Sequence, residues 1–155
     1  MNTLTAPPDL SRAAFERVLN EHRTLTSFGY YSSLRNHDRE RAELLGAYSR
    51  VHVIAEWLLA NVGKIRTPNQ SSYSMKHRAE NALDDAVDGY VSNGELIAAA
   101  LLAGYTMRTP RWVTANVGLG MAQRDIDKLR DAENAGYRRG RGPSGLPLSP
   151  RVGVS

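Results

Sequence analysis

The chain has 155 residues, 41% hydrophobic and 23% charged, which is enough for one domain with a buried core. It holds no cysteine, and this excludes disulfides, thiolate nucleophiles and cysteine-ligated metals. The formal charge of +4 resides wholly in a tail, because Arg138, Arg139, Arg141 and Arg151 meet no acid after residue 135, and the body before them is neutral.

Residues 1–8 are polar, carry Pro7-Pro8 and read as a flexible arm. They have neither the charged nor the apolar region of a secretory signal. A helical domain is expected over 9–135. Its first helix starts near Asp9 or Ser11, with Phe15, Val18, Leu19 and His22 at the spacing of one helical face. SFGYYSS (27–33) reads as a turn. A second helix is predicted over 37–62, its stripe formed by Leu44, Tyr48, Val51, Ala55, Leu58 and Val62 with Leu45 and Leu59 beside it. Val53 and Trp57 lie on its far side, and Gly63 is placed to end it.

KIRTPNQSS (64–72) reads as a linker. A third helix follows over 72–86, with Met75, Ala79, Ala82 and Leu83 on its apolar face and Ser71 or Ser72 as cap. After Gly89, the stretch YVSNGELIAAALLAGY (90–105) contains a capping box. Ser92 and Glu95 stand three apart, and the apolar run behind them stops at Gly104. A helix over 93–103, apolar on nearly every side, is predicted at the centre of the core. Thr109-Pro110 reads as the start of a short helix interrupted by Gly118-Leu119-Gly120, and a final helix is predicted over 121–134. Residues 136–155, rich in Gly, Pro and Arg, are expected to be disordered. No strand pattern is evident, so the fold expected is all-α, a single domain of about five helices. Leu44, Leu45, Tyr48, Val51, Ala55, Leu58, Leu96, Ile97, Ala100 and Leu101 should form its core.

The longest apolar run, Leu96 to Ala103, is far shorter than the roughly 20 residues of a membrane span, so no membrane association is expected. The absence of cysteine agrees with a cytoplasmic location. Catalytic signatures are missing: there is no Gly-x-Ser-x-Gly elbow, no P-loop and no HExxH. His52/Glu56 and His77/Glu80 stand at helical spacings that suggest metal ligation, and a metal-dependent enzyme using His77 and Glu80 ranks third among the functional readings. Neither a cofactor nor a catalytic residue is assigned.

The third helix offers the best polar surface. Ser72, Tyr73, Lys76, His77 and Arg78 are candidate partner- or phosphate-binding residues, against the plainer reading of a solvated helix face. Val53 and Trp57 form a candidate second surface, which the first helix is expected to cover. Arg138, Arg139 and Arg141 would lend weak, salt-dependent affinity for nucleic acid. Helices three and four could also form a DNA-reading helix-turn-helix, but the second of them offers mostly hydrocarbon to a groove.

The segment Ser72-Tyr73-Ser74-Met75-Lys76-His77, followed by Tyr90-Val91-Ser92-Asn93-Gly94-Glu95-Leu96-Ile97-Ala98-Ala99-Ala100 and Gly104-Tyr105, resembles short uncharacterised proteins of phages, plasmids and other mobile elements. Those carry Ser-Tyr-Gly-Leu-Lys-His and then Tyr-Val-Thr/Ser-Asn-Gly-Glu-Phe/Leu-Ile-Ala-Ala-Ala. Ser74 and Met75 replace the usual glycine and leucine, and the match fades past Arg108, where Thr109-Pro110-Arg111-Trp112 stands instead of an extended Pro-Asn segment. The resemblance implies a mobile-element origin and a small accessory role, with no reaction attached. The function expected is non-enzymatic binding of a host or phage protein. The alternative is nucleic-acid binding through helix 72–86 and the basic tail.

Overall fold

The computed structural model describes residues 6–31, 36–109 and 114–138. Its elements run α1 (Arg12–Glu21), α2 (His37–Leu45), α3 (Tyr48–Asn61), β1 (Gln70–Ser71), α4 (Ser72–Leu83), a 3-10 turn (Asp84–Val87), α5 (Asn93–Ala103), β2 (Met107–Arg108), β3 (Gly118–Leu119) and α6 (Gln123–Arg138).

Helix α5 is the post around which α1, α3 and α4 pack. Its capping box is formed: Ser92 Oγ accepts from the Glu95 amide at 3.0 Å, and Glu95 Oε1 accepts from the Ser92 amide at 3.0 Å. Such a cap is worth about 1 kcal/mol. Gly104 closes the far end at φ 95°, a left-handed turn that favours glycine. Every residue of α5 is buried except Leu101, which is half-buried against the core. Burial of Leu96 and Ile97 contributes roughly 1.5–3 kcal/mol each. With no face left for a DNA groove, α5 is excluded as a recognition helix.

Gly94 explains how the chain gets so close to the start of this post. A Cβ built there would lie inside the Thr26 carbonyl and against Ser27 Cα. The Gly94 amide donates to the Ser27 carbonyl at 3.1 Å. The glycine therefore lets the 26–29 turn press onto the first turn of α5. Tyr105, just beyond the helix, donates its hydroxyl to the carbonyls of Leu58 and Val62 at the end of α3. Burial, with Asp125 nearby, pushes that phenol well above its ordinary pKa.

Several expectations are corrected. The fold is mainly helical but not purely so, because β1, β3 and β2 form a three-stranded antiparallel sheet, with Leu119 opposite Gln70 and Met107. Gly118-Leu119 is its central strand, not a helix interruption. Strands of two residues are too short to show the alternation that marks a strand in sequence. Pro110 to Val113 lie outside the described residues.

The predicted helix 37–62 breaks in two. The Gly46 amide donates to Ala42 and the Ala47 amide to Leu44, only three residues back, so the turn tightens and the axis is re-aimed. Leu44 stays buried, whereas Leu45 turns outward, 42% exposed, and leaves the predicted core. Tyr48 and Leu101 pack against the core partly buried. The last helix, expected over 121–134, spans Gln123–Arg138, and the roughly 1 kcal/mol cost of a helical glycine at Gly136 does not end it. Among the described residues no helix is long and apolar enough to cross a membrane.

Candidate binding cleft

The loop 88–92 is fixed from two sides. From α3, Arg50 reaches across: its Nε donates to Glu95 Oε2 at 2.9 Å, its Nη1 to the Val87 carbonyl at 3.1 Å, and its Nη2 to the Tyr90 carbonyl. Glu95 is thus both the cap of α5 and the buried partner of Arg50, a pairing across 45 residues that the sequence pattern did not reveal. From α4, Glu80 and Lys76 hold Val91. Glu80 Oε2 accepts from the Val91 amide at 2.9 Å, and Lys76 Nζ donates to the Val91 carbonyl at 3.2 Å and to Glu80 at 3.2 Å. His77 Nδ1 lies 3.0 Å from the other Glu80 oxygen.

Burial pushes the Glu80 carboxyl up, but the Val91 amide, Lys76 and His77 together outweigh it and hold the group below its ordinary value of 4.5. A depressed carboxylate stabilises the fold above the unfolded value, and that stability is lost as pH falls through the folded one. Glu80→Gln should therefore lower stability at neutral pH by about 1–2 kcal/mol. The gap to the wild type should close on acidification below pH 4.5, as thermal unfolding followed by circular dichroism would report.

These bonds redefine the sequence-predicted surface. Ser72 is fully buried, and its hydroxyl accepts from the Val117 amide at 3.1 Å, so it offers nothing to a partner. Ser71 is the cap of α4, accepting from the Tyr73 amide. Lys76 is committed to Glu80 and Val91, and Arg78 to Glu133 at 2.8 Å. His77 is half-exposed and meets the Tyr73 ring edge-on at 4.6 Å. Val53 is half-buried, and Trp57 packs partly buried against the core. Arg138 belongs to the backbone of α6, while Arg139 and Arg141 lie outside the described residues. His52 and Glu56 form an isolated pair at 3.5 Å, and no cluster of three or more metal-ligating side chains occurs among the described residues.

What the structure does bring together is aromatic. Phe28, Tyr73 and Tyr90, 57%, 52% and 58% exposed, line one cleft of about 320 Å³. They come from the 26–29 turn, from α4 and from the loop before α5. Lys76 Nζ stands 5.8 Å from the Tyr73 ring centre and 5.2 Å from that of Tyr90, which fixes both rings by cation–π attraction. Asn93 lines the same cleft. Its amide nitrogen donates to the Ala115 carbonyl and to Asn116 Oδ1, while its own carbonyl oxygen, on a residue only 7% exposed, has no hydrogen-bond partner among the described residues. Such an orphaned acceptor is costly unless something bonds to it.

Phe28, Tyr90 and Ser27 also form a wall of a second hollow, about 540 Å³, whose charged residues are Glu40, Glu43, Asp88, Glu95 and Arg50. Of the residues lining these two hollows, the sequence reading singles out Tyr73 and Lys76 as candidates and Ser92 and Glu95 as the cap. It passed over Phe28, Tyr90, Asn93, Glu40, Glu43 and Arg50. A phenylalanine in a polar, glycine-containing turn was the one local signal for Phe28. No family model, curated protein or solved structure matches the chain.

Proposed function

We propose that this chain is a non-enzymatic accessory protein of a phage or other mobile element, working in the cytoplasm by binding a host or phage protein through the Phe28–Tyr73–Tyr90 cleft. The observation that carries the reading is three large rings left exposed around one cleft, where a buried acceptor on Asn93 also lacks a partner. Exposed aromatics gathered at a concavity are the usual anchors of a protein interface. Both segments that carry the mobile-element resemblance meet there, through Tyr73 and Lys76 from one and Tyr90 and Asn93 from the other. The nucleic-acid alternative is weakened by the commitments of Ser72, Lys76 and Arg78 within the fold.

Tyr90→Ala and Phe28→Ala should leave the unfolding midpoint within about 0.5 kcal/mol of wild type, because both side chains are exposed. Each should weaken partner binding about tenfold or more in pull-down and titration against lysate of the host. Unchanged capture by both variants, or steeply salt-dependent binding of an oligonucleotide in place of a protein, refutes the reading.

A further inference from the structure

The hollow beside the aromatic cleft is unbalanced in charge: four carboxylates face one guanidinium. Arg50 is already spent, since it is paired with Glu95 at 2.9 Å and bonded to two loop carbonyls. Its approach to Asp88 is a loose 3.9 Å, and the Asp88 side chain is almost wholly in solvent. Glu43 Oε1 accepts from Ser27 Oγ at 2.6 Å, which orients it without neutralising it. Glu40 Oε1 is shielded from solvent and has no hydrogen-bond partner among the described residues. The hollow therefore holds more negative charge than its own cation offsets, and Phe28 and Tyr90 are shared with the neighbouring cleft. A cation entering from that side would pass between two aromatic side chains, Phe28 and Tyr90, before reaching carboxylates, a favourable path for a guanidinium or ammonium. A phosphate backbone would meet repulsion there.

Resting on the protein-binding function above, we propose that the partner's docked segment is basic. An arginine or lysine side chain enters against Glu40, Glu43 and Asp88, while an adjoining apolar or aromatic side chain settles among Phe28, Tyr73 and Tyr90. The segment's chain then lies along the wall that Asn93 and Asn116 line.

The test is to pan a display library of random short peptides on the full chain and titrate the enriched sequences by fluorescence anisotropy. The expected result is enrichment of peptides with Arg or Lys next to an aromatic or large apolar residue. Their affinity should fall with added salt and drop about tenfold or more in the Glu40→Gln/Glu43→Gln variant, whose circular dichroism and unfolding midpoint should match wild type. Enriched peptides that are neutral or acidic, yet lose binding in Tyr90→Ala, overturn the charge assignment and leave the protein-binding reading standing. If no peptide is enriched in a Tyr90-dependent way, both fall. If a synthetic peptide of residues 136–155 binds as tightly as the selected ones, the acidic hollow belongs to this chain's own tail, and the basic partner is overturned.

Discussion

Gly94→Ala is expected to destabilise the protein by about 3 kcal/mol or more. The added methyl would collide with backbone, the Thr26 carbonyl and Ser27 Cα, which cannot swing aside as a flexible side chain would. Relief requires the 26–29 turn to lift from α5, breaking the Gly94–Ser27 hydrogen bond and carrying Phe28 out of the cleft. Urea unfolding reads the effect as a lower midpoint. Gly136→Ala is the control: its Cβ meets nothing within 4 Å, and in a helix it should be neutral or stabilising by about 0.5–1 kcal/mol. Equal midpoints for Gly94→Ala and wild type would refute the close approach of turn and helix.

The second large effect is expected at Arg50. Arg50→Ala would strand the Glu95 carboxylate, 8% exposed as a residue, and release the carbonyls of Val87 and Tyr90. Removing one member of a buried pair costs about 3–5 kcal/mol, because the remaining charge is left uncompensated. Adding Glu95→Gln to Arg50→Ala should recover a large part of that loss, since the amide keeps the cap while shedding the charge. A double variant no more stable than Arg50→Ala would mean that Arg50 acts on the loop carbonyls alone.

Helix α5 was legible from sequence at both ends because its signals are local. Ser92 and Glu95 lie within one turn, and Gly104 follows the last apolar residue. The break between α2 and α3 was hidden because the apolar stripe continues across Gly46, and one tightened turn does not interrupt a pattern read over many residues. Lys76 looked like a free surface donor on its helix. What commits it is Val91, 15 residues on, together with a Glu80 that the Val91 amide has already fixed. The cleft was hidden for the same reason: its walls come from residues 27–28, 73–76, 90–93 and 115–116, which only the tertiary fold unites. Of the five helix residues singled out from sequence, Ser72, Lys76 and Arg78 are held within the fold, and Tyr73 shares its cleft with Phe28 and Tyr90.

The most direct test of the binding cleft is site-specific photo-crosslinking from position 28, with position 130 on the exposed face of α6 as the reference site. A photoreactive phenylalanine analogue replacing Phe28 in the full chain should yield a discrete protein adduct in cells that produce the protein. Tyr90→Ala in the same chain should abolish that adduct, and position 130 should not give it. Crosslinks to nucleic acid, or the same adducts from positions 28 and 130, would contradict the assignment of this cleft as a protein-binding site.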